Sequence, residues 1–310
     1  MNDSRIDSAV SRAVGFLESR QLPHGELRTL RAQDRTLADD PVFESSPYGT
    51  TYVIYSLGFA DDPRIAGLTG RALDFLAEEM EPPGLWRYYS SRSAATLPPD
   101  LDDTACAAFA LRHSHDEIQL GLHLRVILAN RDPEGRFLTF LTDGNNNVDA
   151  VVNANLLCYL GEREETRAAC EFLCDTVSRS QEEKASLYGV DDLSFYYVLS
   201  RAFSQGVKSL GACRGQIVRR IAARQRDDGS FGDELATALA VASFLNFGDE
   251  EPAAVARAVR SLLDSQGEDG SWPRSTFYVD FSGGFYGSEE LTTAFAVESL
   301  ARAVTSCLPR

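Results

Sequence analysis

The sequence predicts an all-α fold, a single (α/α)6 barrel of six helix pairs in one domain spanning residues 1–310. Three observations carry this. First, a unit recurs along the chain. Arg12-Ala13, Phe16-Leu17, Gln21, Gly25 and Leu27 repeat with identical spacing as Arg71-Ala72, Phe75-Leu76, Met80, Gly84 and Trp86, and again as Arg257-Ala258, Ser261-Leu262, Gln266, Gly270 and Trp272. Shorter matches end at Phe137 and Phe231. Second, amphipathic helical stretches alternate with stretches that are apolar on nearly every face. The former suit an outer ring with one wet side and the latter a buried inner ring. Third, strand-like alternation is scarce throughout.

Taken in order, the pairs are read at 4–20 with 47–60, 63–80 with 101–112, 116–130 with 147–160, 163–178 with 188–203, 207–225 with 233–246, and 251–266 with 288–305. Within the repeat, Arg-Ala-x-x-Phe-Leu has helical spacing. The Gly lets the chain turn with positive φ and end the helix. The aromatic folds back on the next element, and the Gln is suited to bond backbone groups at the turn. Two long connections, 21–46 and 271–287, are read as loops. The second carries Phe277, Tyr278, Phe281, Phe285 and Tyr286, too many aromatics for a bare surface loop.

The chain has 310 residues, 44% hydrophobic, enough for a sizeable core. With 46 acidic against 30 basic residues the net charge is −16, which disfavours nucleic acid and anionic membrane surfaces as partners. The start, Met1-Asn2-Asp3-Ser4-Arg5, lacks signal-peptide character, and no apolar run approaches the roughly 20 residues that span a bilayer. A cytoplasmic protein without integral membrane association is therefore expected. The six cysteines, Cys106, Cys158, Cys170, Cys174, Cys213 and Cys307, sit mostly in apolar helical patterns and read as buried thiols. His24, His113, His115 and His123 form no metal-ligand motif, so no metal site is expected from them.

The chemistry concentrates at Asp100-Leu101-Asp102-Asp103-Thr104, which follows Pro98-Pro99 and opens an apolar helix. One Asp suffices as an N-cap. Three carboxylates in four residues repel one another, which raises the pKa of at least one and lets it hold a proton. The other inner helices also begin with acids: Asp149, Asp191-Asp192, Asp233-Glu234 and Glu289-Glu290. For any one of these pairs capping is the simpler reading. If the inner helices run parallel, all six N-termini share one rim and favour negative charge there.

Asp-x-Asp-Asp-Thr-Ala opening an inner helix, together with the Gln-x-x-x-Gly-x-Trp repeats, resembles the class II terpene cyclases, the family of squalene–hopene cyclase and the copalyl diphosphate synthases. The resemblance covers most of the chain and implies a terpenoid cyclase/prenyltransferase-like barrel. It also implies that Asp102 protonates an isoprenoid alkene to start cyclisation, supported by Asp100 and Asp103. The substrate is then a prenyl diphosphate or related polyene. No cofactor is required, and Mg2+ enters only if the substrate carries a diphosphate. Aromatic faces steer the cation, so Tyr52, Phe109 and Phe195 on inner helices and Trp86 and Phe285 on rim loops are candidate substrate-binding residues, with Tyr55, Tyr88, Tyr89 and Phe281 beside them. Asn153 and Asn155 are candidates to bond the carboxylates or position a final base. Arg87, Arg92 and Arg274 are candidates to hold a diphosphate.

The sequence departs from the family where family members insert a second helical domain after the first barrel helix. Only the 21–46 connection stands there, which leaves rim loops, a homodimer or a partner subunit to close the barrel mouth. The alternative reading is a non-catalytic barrel that binds an isoprenoid or a partner. A prenyltransferase β subunit lacks its late His here, since none follows His123 and Cys307 is isolated. An acidic rim also permits a carboxylate-pair glycosidase, against which the repeat signature argues.

Overall fold

The structure is a computed structural model that describes residues 3–112, 120–142, 144, 146–248 and 251–306. His113, His115, Cys307 and the expected helix start at 116–119 lie outside the described residues. In chain order the elements are α1 (Asp3–Arg20), β1 (Thr29–Ala32), β2 (Val42–Glu44), α2 (Pro47–Leu57), α3 (Ile65–Glu78), α4 (Leu101–Leu111), α5 (Leu120–Ala129), α6 (Ala150–Leu160), α7 (Arg167–Ser178), α8 (Glu182–Ala185), α9 (Asp192–Ser204), α10 (Gly211–Ala222), α11 (Glu234–Asn246), α12 (Pro252–Ser265), β3 (Ser275–Val279), β4 (Phe285–Ser288) and α13 (Glu289–Ser306).

Helices α2, α4, α6, α9, α11 and α13 form the inner ring. Each packs on the next, and α13 packs on α2, so the ring closes. Their uniform apolarity has its reason here: in α6 every residue but Tyr159 is buried. The outer helices cover the joints. α3 lies on α2 and α4, α12 on α11 and α13, and α1 returns to α13 and α12, so the first outer helix seals the ring against the last inner one. No helix among the described residues is long and apolar enough to cross a membrane.

The repeat unit is a clamp between neighbouring outer helices. Gln266 Nε2 donates to Gly270 O at 2.9 Å within its own turn and to Ala9 O at 2.9 Å on α1, while Arg12 donates to Gln266 Oε1. Gln21 does the same to Gly25 O and Leu68 O, and Gln225 to Gly229 O and Ala254 O. The turn needs glycine twice over at Gly270. Its φ is +91°, and a Cβ there would lie 2.5 Å from Arg12 O. Gly270→Ala is expected to cost about 1–3 kcal/mol, read as a shift in a urea unfolding midpoint with an unchanged slope.

The tryptophans fasten the same unit to the inner ring. Trp86 Nε1 donates to Leu76 O at 2.7 Å, and Trp86 N donates to Thr104 Oγ1 at 3.0 Å on α4. Trp272 repeats both bonds, to Leu262 O at 2.8 Å and Thr293 Oγ1 at 3.1 Å. Asp100 N in turn donates to Trp86 O at 3.1 Å. The repeat therefore fixes where α4 starts.

One expectation needs correction. The connections 21–46 and 271–287 are not plain loops. Their strands join in one antiparallel sheet, ordered β2-β1-β4-β3, with Arg31 opposite Tyr286 and Thr276 opposite Gly287. These strands escape an alternation search because β3 is buried on both faces and β1 and β2 are short.

Candidate active site

The inner helices present their N-termini to one rim, and the caps there are mostly side-chain oxygens. Asp100 Oδ1 accepts from Asp102 N and Asp103 N, both at 2.9 Å. Asp149 Oδ1 accepts from Val151 N at 2.7 Å and Val152 N at 3.0 Å, and Asp191 Oδ1 from Leu193 N at 2.8 Å. Asp149, Asp191 and Asp233 thus act as caps, as the simpler reading of the acidic starts has it.

Below this rim lies a mostly apolar cavity of about 300 Å³. Its floor includes Asp100, Asp102 and Asp103, with Val151 and Val152 of α6 and Ser194 and Val198 of α9. The roof is the sheet and its hairpin loop, from Phe277 through Ser282, with Tyr286. The 271–287 connection therefore supplies a wall of the cavity, and the strands of the 21–46 connection extend the same sheet beside it. Tyrosines dominate the rest. Tyr278 stacks on Tyr286 with centroids 5.0 Å apart, and Tyr48 meets Tyr278 edge-on at 5.1 Å. The Tyr88 and Tyr278 hydroxyls share a hydrogen bond at 2.9 Å, and Tyr188 meets Phe281 at 4.8 Å.

The three carboxylates differ sharply in surroundings. Asp100 is buried and committed to capping. Asp103 is buried beside it, and its Oδ1 receives no hydrogen bond among the described residues. Burial pushes both above the usual carboxylate range, and the Asp100 charge together with the hydrogen bond between the two pushes Asp103 much further. The hydrogen bond between them favours the charged form of Asp100 and the neutral form of Asp103, so Asp103 is the donor. Asp102 is partly buried and reaches the cavity. Asn155 Nδ2 donates to Asp102 Oδ1 at 2.7 Å. Burial raises Asp102 most, Asn155 opposes it, and the charges of Asp100 and Asp149 raise it again, to about 7. Burial, more than mutual repulsion, is what allows a proton to be held here.

Asn155 has its own support. Its Oδ1 accepts from Arg201 Nη2 at 2.6 Å and from Tyr52 OH at 3.3 Å. The structure thus joins Asp102, Asn155, Tyr52 and Arg201 beneath the cavity floor. Of the other sequence candidates, Tyr88, Tyr89 and Phe281 line the cavity, and the following lie elsewhere. Asn153 is fully buried and braces backbone, accepting from Phe137 N at 3.0 Å and donating to Phe137 O at 3.0 Å and Asp149 O at 2.8 Å. Trp86 is fully buried in the clamp. Phe195 is fully buried on α9 and packs on Tyr196. Phe109 lies two turns below Asp102, under the Arg112 guanidinium at 3.5 Å. Phe285 is held in β4 opposite Ala32 and Val279, outside the cavity. Arg87 pairs with Glu81 and donates to Thr96 Oγ1 at 2.8 Å on the outer surface. Arg92 pairs with Glu78 and Glu79, and Arg274 with Glu289.

Tyr48, Val151, Tyr188 and Arg201 were not singled out from the sequence. Tyr48 had a signal: it follows Ser46-Pro47, a helix start at the acidic rim, one turn before Tyr52.

Residues 68–162, which include the three carboxylates, match the sesquiterpene cyclase astC-like C-terminal domain family. Drimenol cyclase drtB from Aspergillus calidoustus is 25% identical over 226 residues, 69% of this chain and 41% of that protein. A variant of type II terpene cyclase MstE from Scytonema, in complex with geranylgeranyl dihydroxybenzoate, superposes with a TM-score of 0.73 at 19% identity, over 98% of this chain and 99% of that one. The chain is thus similar to class II terpene cyclases, over part of its sequence and in its fold. The ent-copalyl diphosphate synthase from Streptomyces platensis shares the fold over 83% of this chain and 50% of that one, with a TM-score of 0.64 at 20% identity. The chain thus spans less than half the length of the drimenol cyclase and half that of the copalyl diphosphate synthase, but nearly all of MstE. It has the size of a single barrel, and its cavity is roofed by the sheet that the two long connections build together.

Proposed function

We propose that this chain is a class II terpene cyclase in activity as well as in fold, and that Asp102 starts the cyclisation of an isoprenoid polyene by protonating an alkene. The observation that carries the reading is Asp102 itself, a carboxyl on the floor of a mostly apolar cavity, at a helix N-terminus, with a donor behind it. In the step, the Asp102 O–H bond breaks and the alkene π pair forms the new C–H bond, leaving a tertiary cation that the next alkene attacks. The conjugate base forms where amides and the helix dipole favour it. The tyrosine faces stabilise the cation by roughly 0.5–2 kcal/mol each and exclude water. The final cation loses a proton or captures water.

A cavity of about 300 Å³ suits a sesquiterpenoid or diterpenoid chain better than a triterpenoid. Its lining includes Asp100, Asp102, Asp103 and Asp280, while Arg87, Arg92 and Arg274 are engaged by carboxylates elsewhere. An uncharged or phenolic head group fits such a lining better than a diphosphate does. The ring and its sheet, in this reading, form one catalytic unit over residues 1–310.

The test is product analysis by mass spectrometry on prenylated phenols, free polyenes and prenyl diphosphates, run in D2O beside Asp102→Asn. Cyclised product carrying one deuterium, from the wild type alone, is expected. Tight binding of the isoprenoid without turnover favours a binding barrel instead. The acid must be protonated, so activity is expected to hold below pH 7 and fall about tenfold per unit above it, following the Asp102 pKa of about 7. A kcat/KM profile that climbs through pH 9 (about two units above that pKa) contradicts the assignment.

A further inference from the structure

Arg201 is an unusual residue for the interior of a helical barrel. It lies on α9, 3% exposed, and its polar partners among the described residues are a neutral amide and two thiols: Asn155 Oδ1 at 2.6 Å, Cys106 Sγ at 4.0 Å, and Cys158. Its Nε has no partner among them. Tyr52, Tyr55 and Phe109 ring its guanidinium at 4.7, 5.1 and 5.9 Å. Burying a cation costs several kcal/mol unless its surroundings repay it, so a residue of this kind calls for a reason beyond packing.

The reason lies in the symmetry of an amide. A carboxamide can turn end for end with almost no change of shape, presenting either its oxygen or its nitrogen to Asp102. Arg201 breaks the symmetry. A guanidinium is a donor only and stays charged, so it accepts nothing but the oxygen end of Asn155. With the oxygen held there, Nδ2 is left facing Asp102. An N–H aimed at a carboxyl favours its anionic form, whereas an amide oxygen accepts from the neutral acid and favours keeping the proton. Tyr52 cannot decide the matter, because its hydroxyl both donates to Asn155 Oδ1 at 3.3 Å and accepts from Asn155 Nδ2 at 3.1 Å.

We infer that Arg201 is a positioning residue for the acid: by anchoring the oxygen of Asn155 it aims the amide N–H at Asp102 and makes Asp102 a stronger proton donor without touching the substrate. This rests on the reading of Asp102 as the acid. Neither Asn155 nor Arg201 lines the cavity, so both act through Asp102. The titratable groups around Asp102 are Tyr48 and Tyr52 from α2, Asp100 capping α4, Asp103 and Cys106 from α4, Asp149 at the start of α6, and Tyr188 before α9. Those around Arg201 are Tyr52 and Tyr55 from α2, Cys106 from α4, Arg112 at the end of α4, Cys158 from α6 and Tyr197 from α9, with Glu298 of α13 behind Tyr197. Burial raises the tyrosines and thiols of this shell, so they stay neutral near pH 7 and Arg201 supplies the charge.

Two variants separate the anchoring of the amide from mere filling of space. Arg201→Met keeps volume and removes the donor. Arg201→Gln keeps hydrogen-bonding capacity but offers both a donor and an acceptor, so it accepts either orientation of Asn155. Both are expected to lower kcat by roughly 10- to 100-fold, the size of one hydrogen bond to a charged group, with KM within about twofold. The Asp102 carboxyl pKa, followed by carbon NMR in substrate-free protein, is expected to rise by about one unit or more in both. Arg201→Lys, a donor without an acceptor, is expected to restore most of the wild-type value. Asn155→Ala combined with Arg201→Met is expected to lose no more than Asn155→Ala alone, because the two act in series. A wild-type Asp102 pKa in Arg201→Met, or in Arg201→Gln if the first does not fold, overturns the inference. So do additive losses in the double variant. If instead Asp102→Asn keeps full activity, the acid assignment falls, and the NMR titration still reports whether Arg201 controls that carboxyl.

Discussion

Asp102→Asn is expected to lower cyclisation by roughly 10²–10⁴-fold while leaving the fold intact. The size follows from what the substitution removes. Asn matches Asp in shape but has no acidic proton, and an alkene is too weak a base to take one from an amide. Little else changes. The cap of α4 belongs to Asp100, whose Oδ1 accepts the two amides, so the helix keeps its start. Asn155 keeps a partner at the same position. Asp103→Asn is the informative companion. It also removes a carboxyl from the motif, but one that is buried beside Asp100 and holds its proton tightly. Its loss is expected to be smaller and to appear as a shift in the pH profile, since one neighbour of Asp102 has changed its hydrogen bonding. Product yield by mass spectrometry and melting temperature, measured together, check both. Equal product from wild type and Asp102→Asn would falsify the role of Asp102.

The parts of this molecule that were legible in the sequence are those written locally. The repeat spelled out the clamp, because Gln, Gly and Trp sit within sixteen residues of the Arg-Ala that begins each unit. The two rings followed from how apolar each stretch is, since packing on every side demands apolarity on every side. The carboxylate cluster stood out because it exceeds what a cap needs. What stayed hidden depends on pairings distant in the chain. The roof joins residue 31 to residue 286, and no local pattern announces that. Half of it had a local signal all the same: Ser275–Val279 and Phe285–Ser288, with Gly283 and Gly284 between them, have the form of a hairpin. The relay beneath the floor links α4, α6 and α9 across 53 and 46 residues. Its members each look ordinary alone, an Asn among apolar residues and an Arg in a helix. Aromatic side chains misled in the opposite direction. Trp86, Phe109 and Phe195 have the chemistry of a cation-stabilising wall, and the packing of a ring spends them on the core instead.

Trp86 gives that distinction its sharpest test. Trp86→Ala is expected to destabilise the protein by about 3–5 kcal/mol, the range for emptying a large aromatic site, and to lower the melting temperature by roughly 10 °C. Phe75, Leu76, Ala107, Ala108 and Leu111 surround the indole, all fully buried, so the void has little freedom to collapse. Trp86→Phe keeps most of that packing but strands Leu76 O near the end of α3, which now receives the indole N–H. About 1–3 kcal/mol is expected for that unsatisfied carbonyl. Below their melting temperatures both variants are expected to keep KM within about twofold of wild type, because the indole does not reach the cavity. Any fall in kcat should be modest and should arise through Asp100, whose N–H is held by Trp86 O; the backbone of residue 86 remains in every variant, so that bond is strained only as far as the loop shifts. A substrate-binding Trp86 makes the reverse prediction, a raised KM at nearly unchanged stability. Urea unfolding and steady-state kinetics on the same preparations separate the two, and the same pair of measurements on Trp272→Ala, whose indole repeats the bond at the other end of the chain, shows whether the loss belongs to the clamp as such or to the particular one that seats the acid.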